Sequence, residues 1–269
     1  MKTLTLITLA AVTSLSACGG AAQYTSGAEY LQRWDNQVAM APDPDPENPG
    51  MTMASALRQA AAVEFSFPVD AKIGLARLDR GRWIEVPLEE GELWAELAAD
   101  APSSVKFGTV SPLIGAMTAS EVGFNCTHTM AKRCTNALST LNSIRLGAAR
   151  QHYDIVIIYE TGVRGKKENT GLAFVDLTIL GGAILPTRRL KAAGVAKALV
   201  MDVRNGYSYA TASTFTDLSA LSASWGSDAR EAELRQQAGT AVVEKLLPEL
   251  GASLKELIAY AKEKADAKS

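Results

Sequence analysis

Few residues in this chain have types and spacings that could support chemistry. The stretch Phe124-Asn125-Cys126-Thr127-His128-Thr129-Met130-Ala131-Lys132-Arg133-Cys134 holds two thiols and an imidazole. Those groups could ligate zinc, but their spacing matches no standard zinc pattern and no fourth ligand is evident. The pair Cys126 and Cys134 reads first as a disulfide, which in so short a loop is worth roughly 2.5 kcal/mol in the chain-entropy model. Gly206-Tyr207-Ser208-Tyr209-Ala210 approximates G-x-S-x-G. A nucleophile elbow must turn from strand into helix, whereas Gly206 sits at a hairpin turn and Ser208 in a strand. Gly162-x-x-Gly165-Lys166 lacks the full phosphate-loop pattern and has no helix behind it, so Lys166-Lys167 reads as a solvated turn. His152 lies where a helix C-terminus meets a strand, a structural position. Asp176 and Asp202 are lone acids. The expectation is a non-enzyme with no catalytic residue, no cofactor and no metal.

The residue with the clearest chemical assignment is Cys18. Met1-Lys2-Thr3 carries one positive charge, Leu4–Leu15 is apolar, and Leu15-Ser16-Ala17-Cys18-Gly19 follows. A basic start, a short hydrophobic core and small residues at a cleavage point make a secretory signal. The core is too short to span roughly 30 Å of hydrocarbon as a helix. The cysteine directly after Leu-Ser-Ala resembles the bacterial lipobox, which implies cleavage before Cys18 and lipid on its thiol and new amino group. Several acyl chains anchor stably where one is marginal. Gly19, in place of the aspartate that often marks inner-membrane retention, implies the outer membrane, facing the periplasm. Nothing after the signal approaches ~20 consecutive apolar residues, so without its lipid the chain is expected to be soluble.

The positioning elements come from a chain of 269 residues with 47% hydrophobic and 21% charged residues, able to bury a core. The net charge is −2 and no basic stripe with interleaved aromatics appears, so nucleic acid is excluded as a partner. After the signal (1–17), residues 18–50 read as a tether: a short amphipathic helix over Ala28–Met40, then Pro42-Asp43-Pro44-Asp45-Pro46-Glu47-Asn48-Pro49, which favours an extended spacer. Residues 51–227 read as an α/β domain. It comprises a helix at 52–63, a strand at 69–78, a helix at 89–99 and a strand at 105–114. A helix follows at 136–151, then a strand from Asp154, whose β-branched run Ile155-Val156-Ile157-Ile158 is of the kind buried on both faces. Leu172–Leu185 is apolar, and is read as buried sheet or core helix, or else as a membrane or subunit contact. Asn205-Gly206 between two strand-like runs predicts a type I′ hairpin, with positive φ at both residues. Residues 228–269 read as helices packed on the same domain. Asp228 with Glu231 opens one by a capping box, Pro248 breaks it, and Ser253 with Glu256 caps the next. The fold class is α/β (α+β): a mixed sheet of about five strands with helices packed on it.

Four of these segments, in order, carry a family resemblance. They are FPVDAKIGLARL (67–78), LNSIRLGAARQHYDIVIIYE (141–160), DLTILGGAILP (176–186) and ALVMDVRNGYSYATAS (198–213). The chain resembles the rhombotarget lipoproteins, a bacterial family that brings no catalytic residues with it. In order of strands and helices it is similar to the amino-terminal domain of the Tol–Pal translocation protein and to the curli secretion channel lipoprotein. The implied function is a membrane-anchored envelope lipoprotein, a non-enzymatic binding or accessory module for an envelope protein. The alternative is an oligomeric secretion or channel component of the outer membrane.

Overall fold

The structure, a computed structural model, describes residues 21–35, 53–121, 137–169, 188–223 and 226–267. Cys18, Cys126, Cys134, His128, Asp176 and Leu172–Leu185 lie outside the described residues.

The continuous apolar runs form the middle of the sheet. β2 (Lys72–Asp79) and β5 (Ile155–Asn169) lie side by side and parallel, with Ile73 opposite Ile155 and Leu78 opposite Glu160. The first five residues of β5 are buried on both faces, as their β-branched composition requires. β5 continues antiparallel to β6 (Arg188–Asp202), and β6 to β7 (Ser208–Ser222). On the far edge β1 (Ala21–Ala22) pairs with β7; on the near edge β3 (Arg82–Ile84) and β4 (Lys106–Thr109) share the free side of β2. The order is β1-β7-β6-β5-β2-β3, with β4 also on β2. The fold class is as expected, a mixed sheet with helices on it, but with seven strands among the described residues. The two extra strands, β1 and β3, are two and three residues long, too short to show a period.

Among the described residues six helices flank the sheet: α1 (Gly27–Asp35), α2 (Met53–Ala61), α3 (Leu88–Ala99), α4 (Pro112–Glu121), α5 (Ala137–Arg150) and α6 (Ser227–Asp266). Alternation along β5 divides its side chains between two cores. Ile155, Ile157 and Tyr159 join Trp94 of α3 and Leu246, Leu250 and Leu257 of α6 on one side. Val156 and Ile158 join Ile144 and Ala148 of α5 on the other.

Five local expectations are corrected. Residues 21–35 of the expected tether belong to the folded unit. Ala21 pairs with Thr211, Tyr24 Oη donates to Glu256 at 2.6 Å, and the Ala28 amide donates to Glu64 at 2.9 Å. The expected strand at 105–114 ends at Thr109, and Pro112 opens α4, where a missing N–H costs nothing. The Gly162–Lys167 turn is strand, because β5 runs on to Asn169. The hairpin is not type I′: Gly206 has φ +76° but Asn205 is not in the left-handed region. Instead the loop winds round Asp202, whose carbonyl accepts the Gly206 amide and whose carboxylate accepts those of Arg204 and Asn205.

The last correction concerns α6, one helix of 40 residues that contains Pro248. An interior proline costs about 3 kcal/mol. Here it is exposed, and the flanking Leu246, Leu247, Leu250, Leu254 and Leu257 are all buried. At about 1.5–3 kcal/mol for each fully buried leucine, the sheet contact outweighs the break. Ser253 is not a cap; its hydroxyl donates back to Glu249 O. The N-cap is Gly226, and Asp228 pairs with Lys167 of β5 instead of closing a capping box.

Candidate functional site

The site is made by a difference in strand length. β2 pairs with β5 only as far as Leu78, opposite Glu160, while β5 runs nine residues further, to Asn169. Among the described residues nothing pairs with the outer edge of β5 over that stretch. A cleft of about 970 Å³ opens at this corner, between the β2–β3 turn and α6. Arg77, Glu90 and Thr161 line its floor, and Arg80, Arg164 and Arg235 stand round it.

The floor is a closed hydrogen-bonded unit. Arg77 donates from Nε and Nη2 to the two oxygens of Glu90, at 2.8 and 2.9 Å, and from Nη2 to Thr161 Oγ1 at 2.7 Å. Tyr159 Oη donates to Glu90 at 2.8 Å. Both charged side chains are 10% exposed. Burial works against the Arg77 charge, but the Glu90 carboxylate more than compensates and raises the guanidinium pKa. Burial, reinforced by Glu90, pushes the Tyr159 phenol far above its usual range. The charged and hydroxyl groups of the unit are engaged with one another, which rigidifies the cleft. Arg77 gave a sequence signal that went unread, a cation in the apolar alternation of LARL.

A second polar cluster closes the other end of the sheet. Asp202 is fully buried and accepts from Ser66 Oγ (3.0 Å), Tyr209 Oη (2.7 Å) and Arg204 Nη2 (3.0 Å). Burial opposes the carboxylate charge, yet these hydrogen bonds outweigh it and hold the pKa below normal. Asp202 is therefore a hairpin residue, as its position implied, and a far more engaged one.

Of the residues weighed for chemistry, Ser208 opens β7 on the wall of a cleft of about 590 Å³, where the described lining residues include no histidine and no carboxylate. His152, two residues past the end of α5, has φ +61° and donates its amide to Ala149 O. Among the described residues no three His, Cys, Asp or Glu side chains converge as a metal site. Among the described residues that the sequence singled out, Gly162 lines the cleft.

The distal strands also expose one face. β6 alternates buried and exposed from Arg189 to Ala198. Its buried residues, with Lys167 and Gly165 of β5, face α6. The opposite side carries Arg164, Lys166 and Glu168 of β5, Arg189, Lys191, Val195 and Lys197 of β6, and Phe215, Asp217 and Leu221 of β7. Phe215 is 67% exposed, Leu221 58% and Val195 43%.

No protein-family model matches the chain, so none assigns it to the rhombotarget lipoproteins. No curated protein sequence matches it either. Among solved structures, a dodecamer of a PelC point variant from Paraburkholderia phytofirmans is similar at 13% identity, over 70% of this chain and 92% of that one, with a TM-score of 0.29. The hypothetical protein CT253 from Chlamydia trachomatis is similar at 12% identity, over 70% and 97%, with a TM-score of 0.31. Likeness at this level carries no functional argument.

Proposed function

We propose that the chain is a lipid-anchored envelope lipoprotein of the outer membrane, attached through Cys18, whose folded domain binds an envelope protein without acting on it chemically. The observation that carries the binding role is the overhang of β5. An unpaired strand edge beside a rigid, charged cleft suits the addition of an extended partner segment, with backbone hydrogen bonds for affinity and the arginines of the rim for selection. The lipid assignment rests on the Leu-Ser-Ala-Cys motif and its resemblance to a lipobox. The reading as a non-enzyme is supported by a cleft floor whose charged groups are all mutually satisfied.

A photo-cross-linking residue at Arg164 tests this in cells producing the lipidated protein. A discrete protein adduct at Arg164, absent when the probe is at Lys255 on α6, is expected. No adduct at Arg164, or equal adducts at both positions, overturns the reading.

One observation favours the alternative, a self-assembling secretion component. The outer edge of β7 beyond Thr211 is also unpaired among the described residues, so two free edges flank the same three strands. Light scattering on residues 21–269 separates the two. A monomer or dimer is expected, and a stable ring of many copies establishes the alternative.

A further inference from the structure

The bare face of the distal strands has a chemistry different from that of the molecule as a whole. The chain carries a net charge of −2. Leaving aside Arg164 and Val195, which line the cleft, the bare face carries four cations against three acids, even counting Glu160 at its upper limit, and the exposed Phe215 and Leu221 lie among them. Apolar residues rimmed by lysine and arginine suit the headgroup region of an anionic bilayer.

The anchor lies beside the same face. β1 pairs with β7 at Ala21–Thr211, and the lipid-bearing Cys18 is three residues before Ala21. Three residues reach at most about 11 Å. β1 is antiparallel to β7, so the chain arrives at Ala21 from the side of Phe215. Phe215 is four residues along β7 from Thr211, about 13 Å. The domain is therefore held against the membrane by its β7 edge and does not stand off on a long tether.

We propose that this bare half-face is a membrane-contact surface, which lays the distal sheet on anionic headgroups while the β5 edge and its cleft stay open to a protein. The inference rests on lipid attachment at Cys18. The chain is net acidic, but the fold segregates its charges.

The test is lysine acetylation, read by mass spectrometry, on the full lipidated protein in vesicles containing phosphatidylglycerol, with the lipid-free chain in solution as reference. Lys191 and Lys197 on the face should react about fivefold more slowly on the vesicles, the equivalent of ~1 kcal/mol per basic residue. Lys255 and Lys262 on α6 should be unchanged. Phe215→Asp, at an exposed position where folding is not at stake, should restore much of the reactivity. Acylated Cys18 with Lys191 and Lys197 still fully reactive overturns the contact surface and leaves the lipoprotein reading standing. Unmodified Cys18 overturns both. Slow reaction already present in the lipid-free chain means that a second copy covers the face, and also overturns the proposal.

Discussion

The two ends of β5 obey different rules. From Ile155 to Tyr159 every side chain is buried, because helices cover both faces and strands flank both edges. From Gly162 to Asn169 the residues are exposed or half-buried, and among the described residues one face is bare and one edge is open. A single strand thus passes from a core into a surface. The difference lies in what stops beside it: β2 ends at Asp79, and α5 covers only Val156 and Ile158. Buried contacts are therefore concentrated in the first half, and the recognition proposed above would use the second.

Breaking the unit at the boundary should have the largest effect. Glu90→Ala leaves Arg77 buried without its anion, and removing one partner of a buried pair costs about 3–5 kcal/mol. Urea denaturation should show the midpoint falling accordingly. A change below 1 kcal/mol would mean that water enters the cleft and solvates Arg77.

Truncations within the sheet measure the contrast directly. Ile157→Ala, in the doubly covered half, should cost about 2–5 kcal/mol. Phe215→Ala, in the bare half, should stay within about 0.5 kcal/mol although it removes a larger side chain. Comparable losses would show that the distal face is covered in solution.

Acid should weaken the covered half through Asp202. Its folded pKa is depressed, so its contribution is complete above the unfolded carboxylate value and is lost as pH falls through the lower folded value. Asp202→Asn should cost about 1.5–3 kcal/mol at neutral pH, the scale of hydrogen bonds to a charged group. It should also flatten the acid limb of the stability profile. An unchanged acid limb would assign that limb to other carboxylates.

The same contrast explains what could be read from sequence. Ile155-Val156-Ile157-Ile158 showed its burial because both faces demand apolar residues there. The apolar stripe of α5 showed its helix for the same reason. The distal half of β5 was misread as a turn, since Gly162, Gly165, Lys166 and Lys167 are turn-like in composition. What makes them strand is the pairing with β6, eight register pairs from Gly162 to Asn169, a long-range constraint with no local trace. Pro248 misled in the same way, because its penalty is local and the leucine contacts that override it are tertiary. The site was the least legible part. Arg77 and Glu90 are thirteen residues apart on a strand and a helix, and their contact depends on how those elements dock. The Cys18 proposal rests on the linear chain alone, because a lipobox is a local motif that needs no fold.

Two glycines in the distal half give the finest test. At Gly194 of β6, on the covered face, an added Cβ would lie 2.7 Å from the backbone oxygen of Ala238 in α6 and 3.2 Å from Thr216. Backbone cannot rotate away as a side chain can, so Gly194→Ala must push α6 off the sheet, at about 1–3 kcal/mol. At Gly162 of β5, on the bare face, an added Cβ would meet nothing within 4 Å. Neither glycine has a positive φ, so alanine fits both backbones and the difference is purely one of space. Gly162→Ala should gain about 0.4–1 kcal/mol by restricting the unfolded chain. The pair measured together, by urea midpoint at constant slope, should differ in sign. If Gly162→Ala is as destabilising as Gly194→Ala, something packs on the bare face in solution, and a surface free to meet a membrane is ruled out.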